Sequence, residues 1–246
     1  LQPMTVEEFC EVVTQGQSVA PMYLLFAATR NREQRELLPA EPLHSLTLEE
    51  VLEHQRRGAV VIDGRDDTTF AAGHLRGSVN VGLGGRFAEY AGEVMVPGTP
   101  IVLVVEPGTE EEARTRLARI GFDDVLGALG DPVAAFMAHP EHVAQLSRLS
   151  VPALRDRITQ VDELVLVDVR NPGEVEHGSI PGALHISLPA LLRRLDDLDP
   201  SKPTVVFCAG GYRSAIASSL LRSHGFRDVS DLLGGFTAWN AASAAA

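Results

Sequence analysis

The stretch Thr204-Val205-Val206-Phe207-Cys208-Ala209-Gly210-Gly211-Tyr212-Arg213-Ser214 decides how this chain is read. Its first four residues describe a short buried strand, and the strand runs into a cysteine. A glycine-bearing loop follows, then the amphipathic run Ala215 to His224, which Gly225 stops. Strand, loop and helix start in that order build a cradle for an anion. Backbone N–H groups at a helix N-terminus lack intrahelical partners, and the helix dipole favours negative charge beside them. The same field favours thiolate over thiol, which makes Cys208 a candidate nucleophile and not a packed sulfur. Gly210 and Gly211 are expected to take positive φ so that the loop amides converge. Arg213 is expected to bind an anionic donor or steady the loop. Ser214 is read as helix N-cap and as a hydroxyl for the sulfur. Tyr212 sits at the loop tip. Ala209 through Ser214 are therefore the candidate substrate-contacting residues.

The chain also repeats itself. Val60-Val61-Ile62-Asp63-Gly64-Arg65 answers Val165-Leu166-Val167-Asp168-Val169-Arg170 at an offset of 105, and Gly73, Leu75 and Gly77 answer Gly178, Ile180 and Gly182. Further on the offset is 104: Gly121-Phe122-Asp123-Asp124-Val125 answers Gly225-Phe226-Arg227-Asp228-Val229. Each copy alternates short apolar strands with amphipathic helices, which predicts an α/β fold of two tandem units, each a central parallel sheet with helices on both faces. In the second copy strands are expected near 164–168, 184–186, 204–208 and 228–230. Helices are expected near 151–158, 172–176, 189–195, 214–224 and 235–241, with a frayed tail over 241–246. Thr47 with Glu50 reads as a capping box, and Pro152 suits a first helical turn. The organisation is 1–43 as the remnant of a preceding domain, 44–138 as an inactive unit, 139–148 as linker and 149–246 as the catalytic unit.

At offset 104 the position matching Cys208 is Val104, and the loop becomes Val105-Glu106-Pro107-Gly108-Thr109-Glu110. Valine cannot attack, proline removes an amide, and the glutamates oppose an anion. The first copy thus keeps the scaffold without the chemistry. Asp168 and Arg170 recur in it as Asp63 and Arg65, so they are assigned to structural support, with Arg170 pairing Asp168 or Glu174. Cys10 lies on the stripe Val6, Phe9, Cys10, Val13 of a short helix and is expected in a core.

Composition bounds the function. The chain of 246 residues carries a net charge of −12, which argues against a general nucleic-acid binder, and no apolar run is long enough for a membrane helix. Its two cysteines lie far apart, which is no disulfide framework and fits a reducing cytoplasm. The histidines are scattered, so neither a metal site nor a cofactor is expected.

Together, Asp168-Val169-Arg170, Gly178-Ser179-Ile180-Pro181-Gly182-Ala183, the Cys208 to Ser214 loop and the ending Phe226, Leu233, Gly234, Gly235, Phe236 and Trp239 resemble the rhodanese family of sulfurtransferases. The resemblance covers roughly residues 45–246 as a tandem pair. It implies that Cys208 takes a sulfane sulfur from a donor such as thiosulfate or glutathione persulfide and passes it to a thiophilic acceptor. Phosphatases that share the fold bracket five residues between cysteine and arginine; here Cys208 and Arg213 bracket four, which suits a smaller sulfur terminus. The segment before residue 44 resembles the end of a metallo-β-lactamase-type persulfide dioxygenase domain, which implies a fusion. A non-catalytic binding or regulatory module is the competing reading, motivated by the acidic first unit.

Overall fold

The structure, a computed structural model, describes residues 3–17, 19–33 and 41–244. Its first part carries α1 (Val6–Thr14) and α2 (Met22–Arg30). Unit one follows with β1 (Ser45–Leu46), α3 (Leu48–Arg56), β2 (Val60–Asp63), α4 (Asp67–Ala72), β3 (His74–Leu75), β4 (Val79–Asn80), α5 (Phe87–Val94), β5 (Ile101–Val104), α6 (Glu110–Ala118), β6 (Val125–Leu129) and α7 (Pro132–Ala138). Next come β7 (Val143–Ala144), β8 (Ser147–Leu149), α8 (Val151–Gln160), β9 (Val165–Asp168), α9 (Pro172–Val175), β10 (Leu184–His185) and α10 (Leu188–Leu191). The chain ends with β11 (Thr204–Phe207), α11 (Tyr212–Ser223), β12 (Val229–Leu232) and α12 (Gly235–Ala244).

Two five-stranded parallel sheets result, ordered β1-β6-β5-β2-β4 and β10-β9-β11-β12-β8. They have the same order, since β8, β12, β11, β9 and β10 answer β1, β6, β5, β2 and β4. Each sheet is covered on both faces, which is why β5 and β11 are buried at every position. One apolar cluster runs through both units, joining Phe87, Ala91 and Val94 of α5 to Leu188 and Leu191 of α10 and to Ile216 and Leu220 of α11. Two smaller clusters fill the outer face of each sheet. The capping box of Thr47 with Glu50 forms, and Ser150 caps α8 with Pro152 in its first turn.

Five expectations are corrected. In register, Asp63 pairs Val104 while Asp168 pairs Phe207, so the counterpart of Cys208 is Val105 and not Val104. Cys10 is exposed together with Val6, Phe9 and Val13, because nothing packs on that stripe of α1 among the described residues. The tail is helical to Ala244, with 245–246 outside the described residues. Within 139–148, β7 pairs antiparallel with β3 and β8 forms the edge of the second sheet. Helix α11 begins at Tyr212, two residues early, because Gly211 (φ 116°) supplies the turn and serves as N-cap in place of Ser214. The 1–43 segment is docked: Tyr23 of α2 lies against Gly92 of α5, and Gly173 N–H donates to the Gly16 carbonyl at 2.9 Å.

The buried His74 of the first copy is replaced by a serine in the second. His74 stacks on Phe70 (3.8 Å between centroids) and its Nδ1 donates to the Phe70 carbonyl at 2.9 Å; its counterpart Ser179 donates to Asp168 at 2.7 Å. Burial drives the imidazole down to about 4, so the folded chain keeps it neutral where the unfolded chain takes a proton. Stability is therefore lost as pH falls from about 6.5 towards 4, by on the order of 3 kcal/mol through this group. His74→Ser is expected to flatten that part of a urea-unfolding pH profile; an unchanged acid slope counts against the assignment.

Candidate functional site

β11 delivers Cys208 to the carboxyl end of the second sheet, in its middle strand, where open α/β sheets place their ligands. The residue is 1 % exposed. Gly211 N–H donates to Sγ at 3.1 Å, and the Ser214 hydroxyl lies 3.6 Å from it while donating to the Gly211 carbonyl at 2.9 Å. Among the described residues one loop amide reaches the sulfur, where several were expected. Of the two loop glycines only Gly211 has positive φ.

What holds the loop comes from the chain's last helix. Phe236 N–H donates to the Cys208 carbonyl at 2.7 Å and Thr237 N–H to the Ala209 carbonyl at 3.1 Å. These are first-turn amides of α12, otherwise without partners. The approach is possible because Gly235 has no side chain: a Cβ there would stand 2.3 Å from the Cys208 oxygen, and its φ is 56°. The role of Gly235 was not read from the sequence beyond its place in the closing motif.

Arg213 does not aim its fork at the sulfur. Both its terminal nitrogens bond Glu174, at 2.6 and 2.7 Å, in a bidentate pair. The pair holds the Glu174 carboxyl below the usual carboxylate range and raises the guanidinium further above its own. The bond ties the first turn of α11 to α9. Arg170 takes the Asp168 carboxylate through Nε and a terminal nitrogen, at 2.9 and 2.6 Å, and also donates to the Glu174 and Gly178 carbonyls. Phe236 covers this guanidinium at 4.2 Å. Asp168 and Arg170 thus bond each other at the end of β9, and Phe236, whose N–H holds the Cys208 carbonyl, covers the guanidinium.

Tyr212 belongs to both units. Its hydroxyl donates to the Gly82 carbonyl at 2.7 Å, and burial pushes the phenol up to about 12, so it remains a donor. Its ring meets Tyr90 of α5 at 5.3 Å, and the Arg86 guanidinium lies over Tyr90. A cavity of about 540 Å³ opens here, lined by Gly64, Leu83, Gly85, Arg86, Tyr90 and Tyr212 among others. At its Gly64 wall a Cβ would stand 2.9 Å from the side chain of Val105, the residue in the place of Cys208. The run Gly82-Leu83-Gly84-Gly85 was the available sequence signal for it. Among the described residues no group of three or more potential ligands gathers to hold a metal, and no helix is long and apolar enough to cross a membrane.

Gly235→Ala is expected to cost ~1–3 kcal/mol from the left-handed backbone alone, before the clash with two carbonyls. Thermal unfolding and the rate of Cys208 alkylation report it; an unshifted melting temperature with unaltered alkylation would remove α12 from the support of the loop.

The rhodanese-like domain profile matches residues 47–129 and 150–242. A sulfurtransferase of Allochromatium vinosum is 30% identical over 94 residues, 38% of this chain and 88% of that protein. A thiosulfate sulfurtransferase of Coxiella burnetii is 35% identical over 79 residues, 32% of this chain and 74% of that protein. Among solved structures, a thiosulfate sulfurtransferase from Pseudomonas aeruginosa aligns with 82% of this chain and 43% of its own, at 22% identity and a TM-score of 0.37. With two profile matches that between them take in one copy of the repeat each, the chain belongs to the rhodanese family.

Proposed function

We propose that the chain is a sulfurtransferase that moves a sulfane sulfur through a persulfide on Cys208. The observation that carries this reading is the placement of an enclosed cysteine at a strand end with the Gly211 N–H on its sulfur, at the start of a helix of 12 residues. The thiolate attacks the outer sulfur of a donor such as thiosulfate or glutathione persulfide. The donor's S–S bond breaks and its leaving group departs with the electron pair. The Gly211 amide, the Ser214 hydroxyl and the dipole of α11 favour the anionic sulfur that remains. An acceptor thiolate then attacks the outer sulfur and returns Cys208 to its starting form. No cofactor enters either step.

Two observations disfavour phosphoryl transfer. The loop brackets four residues between Cys208 and Arg213, and the cation that would clamp phosphoryl oxygens is held by Glu174. Names borne by the relatives in Allochromatium vinosum and Coxiella burnetii agree with sulfur transfer.

Incubation with thiosulfate or glutathione persulfide is expected to add one sulfur to the intact mass, and Cys208→Ser to abolish the gain. Labelling that survives the substitution refutes the reading. Turnover of an aryl phosphate would favour a phosphatase, and an unreactive Cys208 in a folded chain would favour a binding module.

A further inference from the structure

A second cavity, of about 410 Å³, opens where unit one, the connection between the units and the end of α11 meet. Arg76 of unit one and Arg222 in the last turn of α11 both line it, beside Ala72, Val143, Ala144 and Gln145. Among the described residues that line it, none is acidic. The antiparallel pairing of β3 with β7, His74 to Ala144 and Leu75 to Val143, stiffens its wall. Gln145 adds to this by donating from Nε2 to the Ala72 carbonyl at 3.1 Å.

Both arginines are anchored, and both keep donors to spare. The Arg76 N–H donates to the His142 carbonyl at 2.9 Å, and Gln55 Nε2 donates to the Arg76 carbonyl at 2.9 Å. The Arg76 Nε donates to the Glu141 carbonyl at 3.2 Å, which leaves its two terminal nitrogens. One terminal nitrogen of Arg222 donates to the Phe226 carbonyl at 3.3 Å and to the Arg227 carbonyl, which leaves its Nε and the other terminal nitrogen. All these partners are neutral, and among the described residues neither guanidinium meets a carboxylate. The Glu141 carboxylate faces His139 Nδ1 at 3.3 Å instead. Arg148, which also reaches from one unit to the other, is neutralised by Asp67 and Asp231. At the second cavity two positive charges stand without a counter-charge, and a dianion between them would turn repulsion into attraction.

We propose that this cavity binds the phosphate group of a small molecule, held by Arg76 and Arg222 and so joining unit one to α11. The planar fork of a guanidinium matches phosphate oxygens, and two forks balance a double negative charge. The volume exceeds what four oxygens need, and Ala72, Val143 and Ala144 offer an organic body an apolar wall. The Cys208 loop lies at the opposite end of α11, a helix of 12 residues, about 18 Å away along its axis. Binding here therefore requires no sulfur chemistry, and its test is independent of the sulfurtransferase reading.

Inorganic phosphate and glycerol 3-phosphate are the probes, with sodium chloride at matched ionic strength as the reference. Either probe is expected to raise the unfolding temperature above the chloride reference, because a ligand of the folded chain alone stabilises it. Arg76→Gln, at an exposed position, is expected to weaken the binding about 10-fold or more. In the natural chain, phosphate is expected to slow the modification of Arg76 by phenylglyoxal, read by peptide mass, and to leave the exposed Arg57 unprotected. Tighter binding of glycerol 3-phosphate assigns the site to an organic phosphate and equal binding to the free anion, and both support the site. No shift beyond chloride with either probe overturns the inference. Modification of Arg76 at an unchanged rate in saturating phosphate overturns it whether or not the variant folds. Binding as tight in a folded Arg76→Gln as in the natural chain does the same.

Discussion

The Cys208 loop depends on two carbonyls being turned away from it. Within an extended or turning backbone, a carbonyl and the neighbouring N–H cannot serve the same partner. By taking the Cys208 and Ala209 carbonyls, the first-turn amides of α12 leave the opposite side of the loop to N–H groups, and Gly211 then reaches the sulfur. The arrangement needs contact between backbones closer than any side chain permits, hence Gly235. Phe236 extends the same contact backwards: its N–H holds the loop and its ring lies on Arg170, which holds Asp168 at the end of β9. Strand end, loop and final helix therefore form one connected body.

The first unit shows which parts of that body are scaffold. Asp63 and Arg65 repeat the pair bond for bond, including the donation from Arg65 to the Gly73 carbonyl, and Phe136 covers Arg65 at 5.1 Å. A buried carboxylate and guanidinium that bond each other and a turn carbonyl fasten the end of a strand, whatever follows the next strand. Breaking such a pair strands a charge, at ~3–5 kcal/mol, so it persists where the nucleophile is absent. With Val105 in the place of cysteine, unit one meets the Cys208 loop at Tyr212, through Tyr90 of α5 and the Gly82 carbonyl.

How much of this was legible follows from the range of each interaction. The strand–cysteine–loop–helix segment, the duplicated Asp-x-Arg and the parallel architecture were readable because short periodic patterns encode them. The partner of Arg213 was not. Glu174 lies 39 positions away and was considered only as one of two partners for Arg170, which takes the Glu174 carbonyl and the Asp168 carboxylate instead. Tyr212 and Gly82 lie 130 positions apart, and no local pattern joins a loop tip to a carbonyl in the other unit. Cys10 misled for the opposite reason: its stripe is amphipathic, but periodicity states which side is apolar and not whether anything covers it. The one-residue slip at Val104 came from carrying the offset set at Gly121 back across a connection that is one residue shorter in unit one, which the strand register exposes.

The contact of Tyr90 with Tyr212 requires that the units keep one relative position, and polar contacts add direction to the shared apolar core. Arg148 of β8 bonds Asp231, wholly buried in its own sheet, and reaches Asp67 of unit one at 2.9 Å. The Asn80 N–H donates to the Ser219 hydroxyl at 2.9 Å, from β4 to α11. Apolar contact alone tolerates sliding, because one methyl serves nearly as well as the next, whereas a buried hydrogen bond is lost within about an ångström. Asn80 also donates to the Asp63 and Arg65 carbonyls, so the contact from unit one starts on its own fastened strand end and finishes on the helix that begins at the Cys208 loop. The retained scaffold of unit one thereby has a use that needs no cysteine: it sets where α5 stands relative to Tyr212 and Arg213.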